Sequence, residues 1–275
     1  MDATRMNANP TSPQDASELA RKSEAFRALH DAPGIFEMPN PWDAGSALQF
    51  EKLGAKALAT SSGASAVAKG LRDGRLGREA ALAHARDICA VSNLPVSADL
   101  ENGFGDSPEH VAETIRLAGE TGLVGGSIED YSGNAALAIY PFELSVERVR
   151  AAVQAARALP FHFTLTARCE NHLRGIDNLA DTIKRLQAYE AAGADVLFAP
   201  ALPDTRAVQA VCAALTKPFS FMVGIAGKSF SRAQLQACGV KRISFGTVFY
   251  RAAMSASQTA LREALEHGTY GFVGR

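Results

Sequence analysis

Apolar stretches of strand length alternate with longer segments of helical period along most of the chain, the pattern of repeated βα units. Eight strand-like runs are readable, at residues 34–38, 55–60, 95–99, 125–129, 161–167, 196–199, 219–223 and 242–245. The segments between them predict helices over 44–53, 78–91, 108–120, 146–158, 178–191, 205–215 and 232–238, and 247–266 reads as an eighth. Local chemistry supports several boundaries. Ser107-Pro108-Glu109 offers a cap, a proline at the first helical position and an acid in the first turn. Gly122 and Gly193 stand where helices should stop. Asp43 suits a helix N-cap.

Eight such units in 275 residues predict an α/β protein, a single (β/α)8 TIM barrel over residues 21–275, because closure removes open sheet edges. A doubly wound open sheet is the alternative, but no G-x-G-x-x-G follows the first strand. Residues 1–20 are polar and proline-containing and lack the apolar core of a signal peptide; they predict a mobile arm that becomes helical near Ser17. No run approaches the roughly 18–20 apolar residues needed to span a bilayer.

Composition narrows the function. A net charge of -1 gives no attraction to nucleic acid or anionic membrane. Cys89, Cys169, Cys212 and Cys238 are scattered without a C-x-x-C pair, so neither zinc ligation nor a disulfide framework is indicated, and a reduced cytoplasm is expected.

The candidate chemistry clusters at predicted strand ends. The run V-S-A-D-L-E-N-G-F-G carries Asp99 and Glu101 two residues apart, so both project to one side as the strand ends. The next strand ends in Glu129 and Asp130, and the one after in Arg168 and Glu170. Charge delivered at three successive strand ends points to a common site beyond the carboxyl ends of a parallel sheet. Acid oxygens there suit Mg²⁺, or Mn²⁺, better than zinc. Arg168 is placed to bind a substrate carboxylate bidentately, or to pair with Glu129 or Glu170, and the two roles are compatible. Ser61 to Ser65 is either a cradle for an acid group or a serine-rich turn, and Asp73 in the following loop can swing over the cation. His162 falls at the wrong end of a barrel for catalysis. His172 lies on a loop within reach but reads as solvated. Cys169, adjacent to Arg168, should face away from it. The G-L-V-G-G-S-I-E-D segment lacks the lysine of a phosphate loop.

Together, S-S-G-A-S, G-L-R-D-G, S-A-D-L-E-N-G-F-G, G-G-S-I-E-D and T-A-R-C-E-N resemble, in order and spacing, the signature segments of the isocitrate lyase and phosphoenolpyruvate mutase superfamily, over about residues 39–250. The resemblance implies a Mg²⁺-binding barrel whose eighth helix is exchanged between subunits, in a homotetrameric dimer of dimers. It implies that Asp99 binds the metal directly and that Asp73, Glu101 and Glu129 act mainly through its waters. Ser62 and Gly63 match the loop that grips the substrate's acid group, and Arg168 the arginine that contacts substrate. The implied function is a lyase or decarboxylase acting beside a small 2-oxo or 2-hydroxy carboxylate, oxaloacetate-like or methylisocitrate-like, through an enolate of pyruvate. Phosphorus–carbon chemistry, as in phosphoenolpyruvate mutase or phosphonopyruvate hydrolase, is the alternative, and a non-catalytic metabolite-binding barrel a further one. The family's lyases carry a K-K-C-G-H-type loop, where this chain has Tyr131 to Ala136 with no cysteine, lysine or histidine; Ala199 and Pro200 replace an expected histidine or glutamate. Of the phosphonate enzymes' gate only Asn134 remains, and it is the expected polar contributor of a loop over 131–141 that closes on substrate.

Overall fold

The computed structural model describes residues 13–134 and 136–274. Eight parallel strands form the sheet: β1 (Phe36–Met38), β2 (Leu58–Ala59), β3 (Val96–Asp99), β4 (Gly125–Glu129), β5 (Thr164–Arg168), β6 (Val196–Phe198), β7 (Phe219–Met222) and β8 (Arg242–Ser244). They are hydrogen-bonded in the order β1-β8-β7-β6-β5-β4-β3-β2. The seam between β1 and β2 is bridged just beyond the ladders, where the Ala59 N–H donates to Pro39 O at 3.0 Å. The Asn40 amide reinforces it, donating to Thr60 O (3.0 Å) and accepting from the Phe245 N–H (2.8 Å). The result is the TIM barrel that the alternating pattern predicts.

Ten helices alternate with the strands among the described residues: α1 (Pro13–Asp31), α2 (Ala44–Lys52), α3 (Ser62–Ala68), α4 (Arg78–Val91), α5 (Pro108–Ala118), α6 (Phe142–Arg157), α7 (Leu179–Ala191), α8 (Thr205–Ala214), α9 (Arg232–Ala237) and α10 (Val248–His267). Asp43 caps α2 in a full capping box, as its sequence suggests. Two helices that follow strands depart from expectation. The serine-rich stretch is not a turn: Ser61 caps α3 by accepting from the Ala64 N–H, and the Ser65 hydroxyl bonds back to Ser61 O. α6 starts at Phe142, four residues before the expected 146, because Pro141 leads the chain directly into it.

Of the expected N-terminal arm, residues 1–12 lie outside the described residues, and α1 is already helical from Pro13 rather than from Ser17. α1 docks on the N-terminal end of the barrel, where Phe26 packs with Phe36, Met38 and Val124. This explains the glycine pair that opens β4. A Cβ at Gly125 would meet Thr164 O at 2.8 Å and the Phe26 ring at 3.0 Å, and one at Gly126 would meet Leu100 at 2.8 Å, so the first glycine admits the helix, the second admits a core side chain, and neither cradles a phosphate. The apolar core divides between a cluster under β5–β8 and α7–α9 and another under β2–β5 and α4–α6.

α10 differs from the other long helices. None of its residues is buried, and Leu261, Leu265, Tyr270 and Val273, in it and just after it, stand exposed. Its first turn touches the barrel, through Phe249 against Phe50 and Phe245, Tyr250 against Trp42 and Arg251, which donates to Gly224 O. Beside it runs an apolar groove formed by Ile35, Phe36, Pro39, Phe50, Leu53 and Phe245. Among the described residues no helix is long and apolar enough to cross a membrane.

Candidate active site

The acids meet at the C-terminal mouth of the barrel. Asp99, the last residue of β3, accepts on one oxygen from the Ser62 N–H (3.2 Å) and the Ser62 hydroxyl (2.8 Å). The same hydroxyl lies 3.1 Å from Asp73, so one serine links both acids while its single proton serves one at a time. Gly63 makes this approach possible: a Cβ there would meet Thr247 at 3.1 Å and the Asp73 carboxyl at 3.3 Å. The loop carrying Asp73 is therefore already folded over the site. Ser62, expected to grip substrate, here holds Asp99 with both of its donors.

Glu101 sits in a left-handed conformation (φ 49°), a strained choice for a non-glycine residue. What holds it is the network beneath the N-G-F-G-D loop. Arg148, fully buried, donates to the carbonyls of Asn102, Gly105 and Asp106 and stacks on Tyr140, whose hydroxyl bonds Asp106. Nothing in the sequence marks Arg148 as a loop anchor, because its partners are backbone oxygens about 45 residues away. One carboxyl oxygen of Glu101 is buried without a hydrogen-bond partner. Burial, and then the charges of Asp99 and Asp73, push its pKa up to about 7. Asp73 shifts upward for the same reasons, burial first and Asp99 second.

Glu129 ends β4 and belongs to a ring of four charges. Arg168 lies 2.5 Å from Glu170 and 3.4 Å from Glu129, and Arg174 lies 2.7 Å from Glu170 and 3.7 Å from Glu129. Burial and the neighbouring Glu170 drive the Glu129 carboxyl well above the usual range, against the pull of Arg168. Arg174 also stacks over the Tyr131 ring, 3.4 Å from its centroid, and so ties the acids to the base of the 131–141 loop. Sequence reading missed Arg174; the only available signal was its i,i+4 spacing from Glu170, on a stretch that reads as loop. Asp130 turns away, as the neighbour of Glu129 in a strand must, and accepts from Tyr189, Arg185 and the Glu170 N–H.

Several candidates stand elsewhere. Asn134 is exposed in the loop, its oxygen accepting from the Ala136 N–H at 2.9 Å, and is not brought to the acids. His172 is buried rather than solvated, with Nδ1 3.4 Å from Asp177 and Nε2 unpartnered. Cys169 faces the core as expected, and burial drives its thiol far from ionisation. His162 lies at the opposite end of the barrel, where its carbonyl accepts from Ser23 on α1.

Asp99 and Arg168 share a cavity in the barrel mouth with about 50 Å³ of free space, also lined by Ser127 and Phe198. Among the described residues no three His, Cys, Asp or Glu side chains converge closely enough to chelate an ion by themselves. An all-oxygen donor set with one unpartnered buried carboxyl oxygen and strong mutual repulsion nevertheless fits a hard divalent cation that keeps several of its waters.

The family model described as phosphoenolpyruvate phosphomutase matches residues 26–265. A crystal structure from Burkholderia cenocepacia J2315, provisionally designated a lyase/mutase, is 54% identical and superposes with a TM-score of 0.91, over 93% of this chain and 92% of that one. The 2-methylisocitrate lyase of Escherichia coli (strain K12) is 28% identical over 91% of this chain and 87% of its own length. A structure of 2,3-dimethylmalate lyase is 25% identical, with a TM-score of 0.84 over 92% of this chain and 91% of that one.

Proposed function

Because the chain belongs to the phosphoenolpyruvate phosphomutase family, within the isocitrate lyase/phosphoenolpyruvate mutase superfamily of enzymes, we propose that it is a Mg²⁺-dependent lyase breaking a carbon–carbon bond beside the carbonyl of a small 2-oxo or 2-hydroxy acid. The observation that carries this reading is the crowding of Asp73, Asp99 and Glu101 around an unpartnered buried oxygen, with Arg168 on the adjoining wall. Asp99 would hold the ion directly, and Asp73, Glu101 and Glu129 would hold it through water; Mn²⁺ suits the same donors. When bound, the ion supplies Lewis-acid polarisation of the substrate's carbonyl and carboxylate oxygens.

The chain's own groups do the rest. Arg168, kept in place by Glu170 and Glu129, offers hydrogen bonds to the negative charge that grows as the bond breaks. Ser62 fixes the orientation of Asp99. The 131–141 loop, pinched at its base by the Tyr131–Ile139 bridge and carrying Asn134, screens the mouth from water. Decarboxylation needs no general base, which suits a loop without cysteine and a Cys169 sealed in the core.

A second reading, phosphorus–carbon bond chemistry on a phosphonopyruvate-like acid, draws support from the family model itself. Incubation with oxaloacetate, methylisocitrate and phosphonopyruvate, with Mg²⁺ or with chelator, separates the two. Metal-dependent release of pyruvate or loss of substrate from either of the first two supports the lyase. Turnover of phosphonopyruvate alone transfers the case to the second reading, and cleavage that survives chelation overturns the metal site.

The reading extends to assembly and location. The unburied α10 and the apolar groove beside it fit exchange of this helix with a second copy, within a tetramer built from two such pairs. Four free thiols suit a reducing cytoplasm.

A further inference from the structure

The barrel interior holds a cation that the chemistry above does not use. Arg242 opens β8 and is 3% exposed. Its hydrogen bonds all run to neutral groups: Nε donates to the Ser220 hydroxyl (3.1 Å), Nη2 to the Thr166 hydroxyl (3.0 Å) and Nη1 to His30 Nε2 (3.3 Å). His30 is an acceptor there because burial, and then Arg242 itself, lower its pKa to about 3, while Nδ1 donates to Phe26 O. Burial alone, with no acid to offset it, brings the Arg242 pKa down to about 9. This contrasts with Arg168 and Arg185, each of which faces carboxylates.

A guanidinium has five N–H groups, so two remain after these three bonds. Arg242 lines the same cavity as Ser97, Ser127, Ser220 and Ser244, whose hydroxyls can donate into it, while Asp99 and Arg168 line it as well. A water there would leave the charge without a counter-ion, which a buried site tolerates poorly. The whole cavity has about 50 Å³ of free space, and since roughly 10–15 Å³ of such space admits one water, its inner part has room for a halide-sized ion. We propose that this part of the cavity binds one small monovalent anion, held by the two free N–H groups of Arg242 and by the serine hydroxyls that face it. Bound there, the anion ties together β5, β7, β8 and, through His30, the helix that closes the barrel's N-terminal end.

The test uses the full-length, metal-free protein at constant ionic strength. Thermal unfolding is followed while sodium gluconate, whose anion is too large for the cavity, is replaced by sodium chloride or bromide, and crystals grown in bromide are measured at its absorption edge. The midpoint should rise saturably with either halide, and an anomalous peak should lie within hydrogen-bond distance of the Arg242 guanidinium. Arg242→Met should abolish the halide dependence. Should that variant fail to fold, Ser244→Ala keeps the charge and should raise the half-saturating halide concentration by roughly tenfold, as loss of one hydrogen bond to an ion implies. A midpoint indifferent to halide, an interior without an anomalous peak, or a dependence that survives Arg242→Met or is unmoved by Ser244→Ala overturns the proposal.

Discussion

Replacing Glu101 by glutamine removes one negative charge from the barrel mouth while keeping the shape of the side chain. In the metal-free protein the Glu101 carboxyl titrates near 7 against an ordinary 4.5, because it is buried beside Asp99 and Asp73. The folded state therefore binds the proton more tightly than the unfolded chain, and stability falls as pH rises between about 4.5 and about 7. A gap of about 2.5 units corresponds to at most ~3 kcal/mol at 1.36 kcal/mol per unit; with part of the side chain open to solvent, roughly 1–2 kcal/mol is the working figure. Glu101→Gln should thus stabilise the chelator-treated protein by about that amount at pH 8 and change little at pH 4.5. Denaturant unfolding at the two pH values measures the difference directly. The same variant should bind Mg²⁺ more weakly by calorimetry, since the repulsion it relieves is what a cation neutralises. If Glu101→Gln proved less stable than the parent at pH 8 without metal, the crowding argument would fail.

Other expectations follow from the same geometry. Asp99→Ala should abolish Mg²⁺-dependent turnover, and activity persisting under chelation would contradict its role. Arg174→Gln leaves the fully buried Glu170 with Arg168 alone and, as Arg174 itself is partly exposed, should cost about 1–3 kcal/mol in unfolding free energy, together with a loss of turnover. With its oxygen engaged in its own loop, Asn134→Ala should change the rate by less than roughly threefold, whereas a ~10-fold to 100-fold loss would mean that the loop carries the amide onto the substrate. Truncation before Thr247 should remove the helix offered to a second copy and give insoluble protein; a stable, soluble monomer on sedimentation would refute the exchange.

The strands and the acids were legible because each is a local signal: an apolar run, then a carboxylate at the position where a barrel strand meets solvent. Asp99, Glu101, Glu129 and Arg168 all fall at or just past the ends of β3, β4 and β5. What escaped was decided by contacts distant in sequence. α3 is built from small residues with little helical signature and owes its place to capping by Ser61 and to the hold of Ser62 on Asp99. Arg148 and Arg174 look like ordinary surface cations until the fold brings backbone carbonyls to one and two acids to the other. His172 reads as a loop histidine, yet the turn after β5 folds inward and buries it.

The seam of the barrel has a chemical consequence. Asn40 reads a carbonyl on one side and an N–H on the other, a task aspartate cannot perform, since a carboxylate has no donor for Thr60 O. Asparagines age to aspartate when the nitrogen of the following residue attacks the side-chain amide, a step that requires an N–H at that position. The residue after Asn40 is Pro41, which has none. The dipeptide that closes the ring is thereby protected from spontaneous deamidation, and the barrel's joint should outlast ordinary asparagine sites in aged protein.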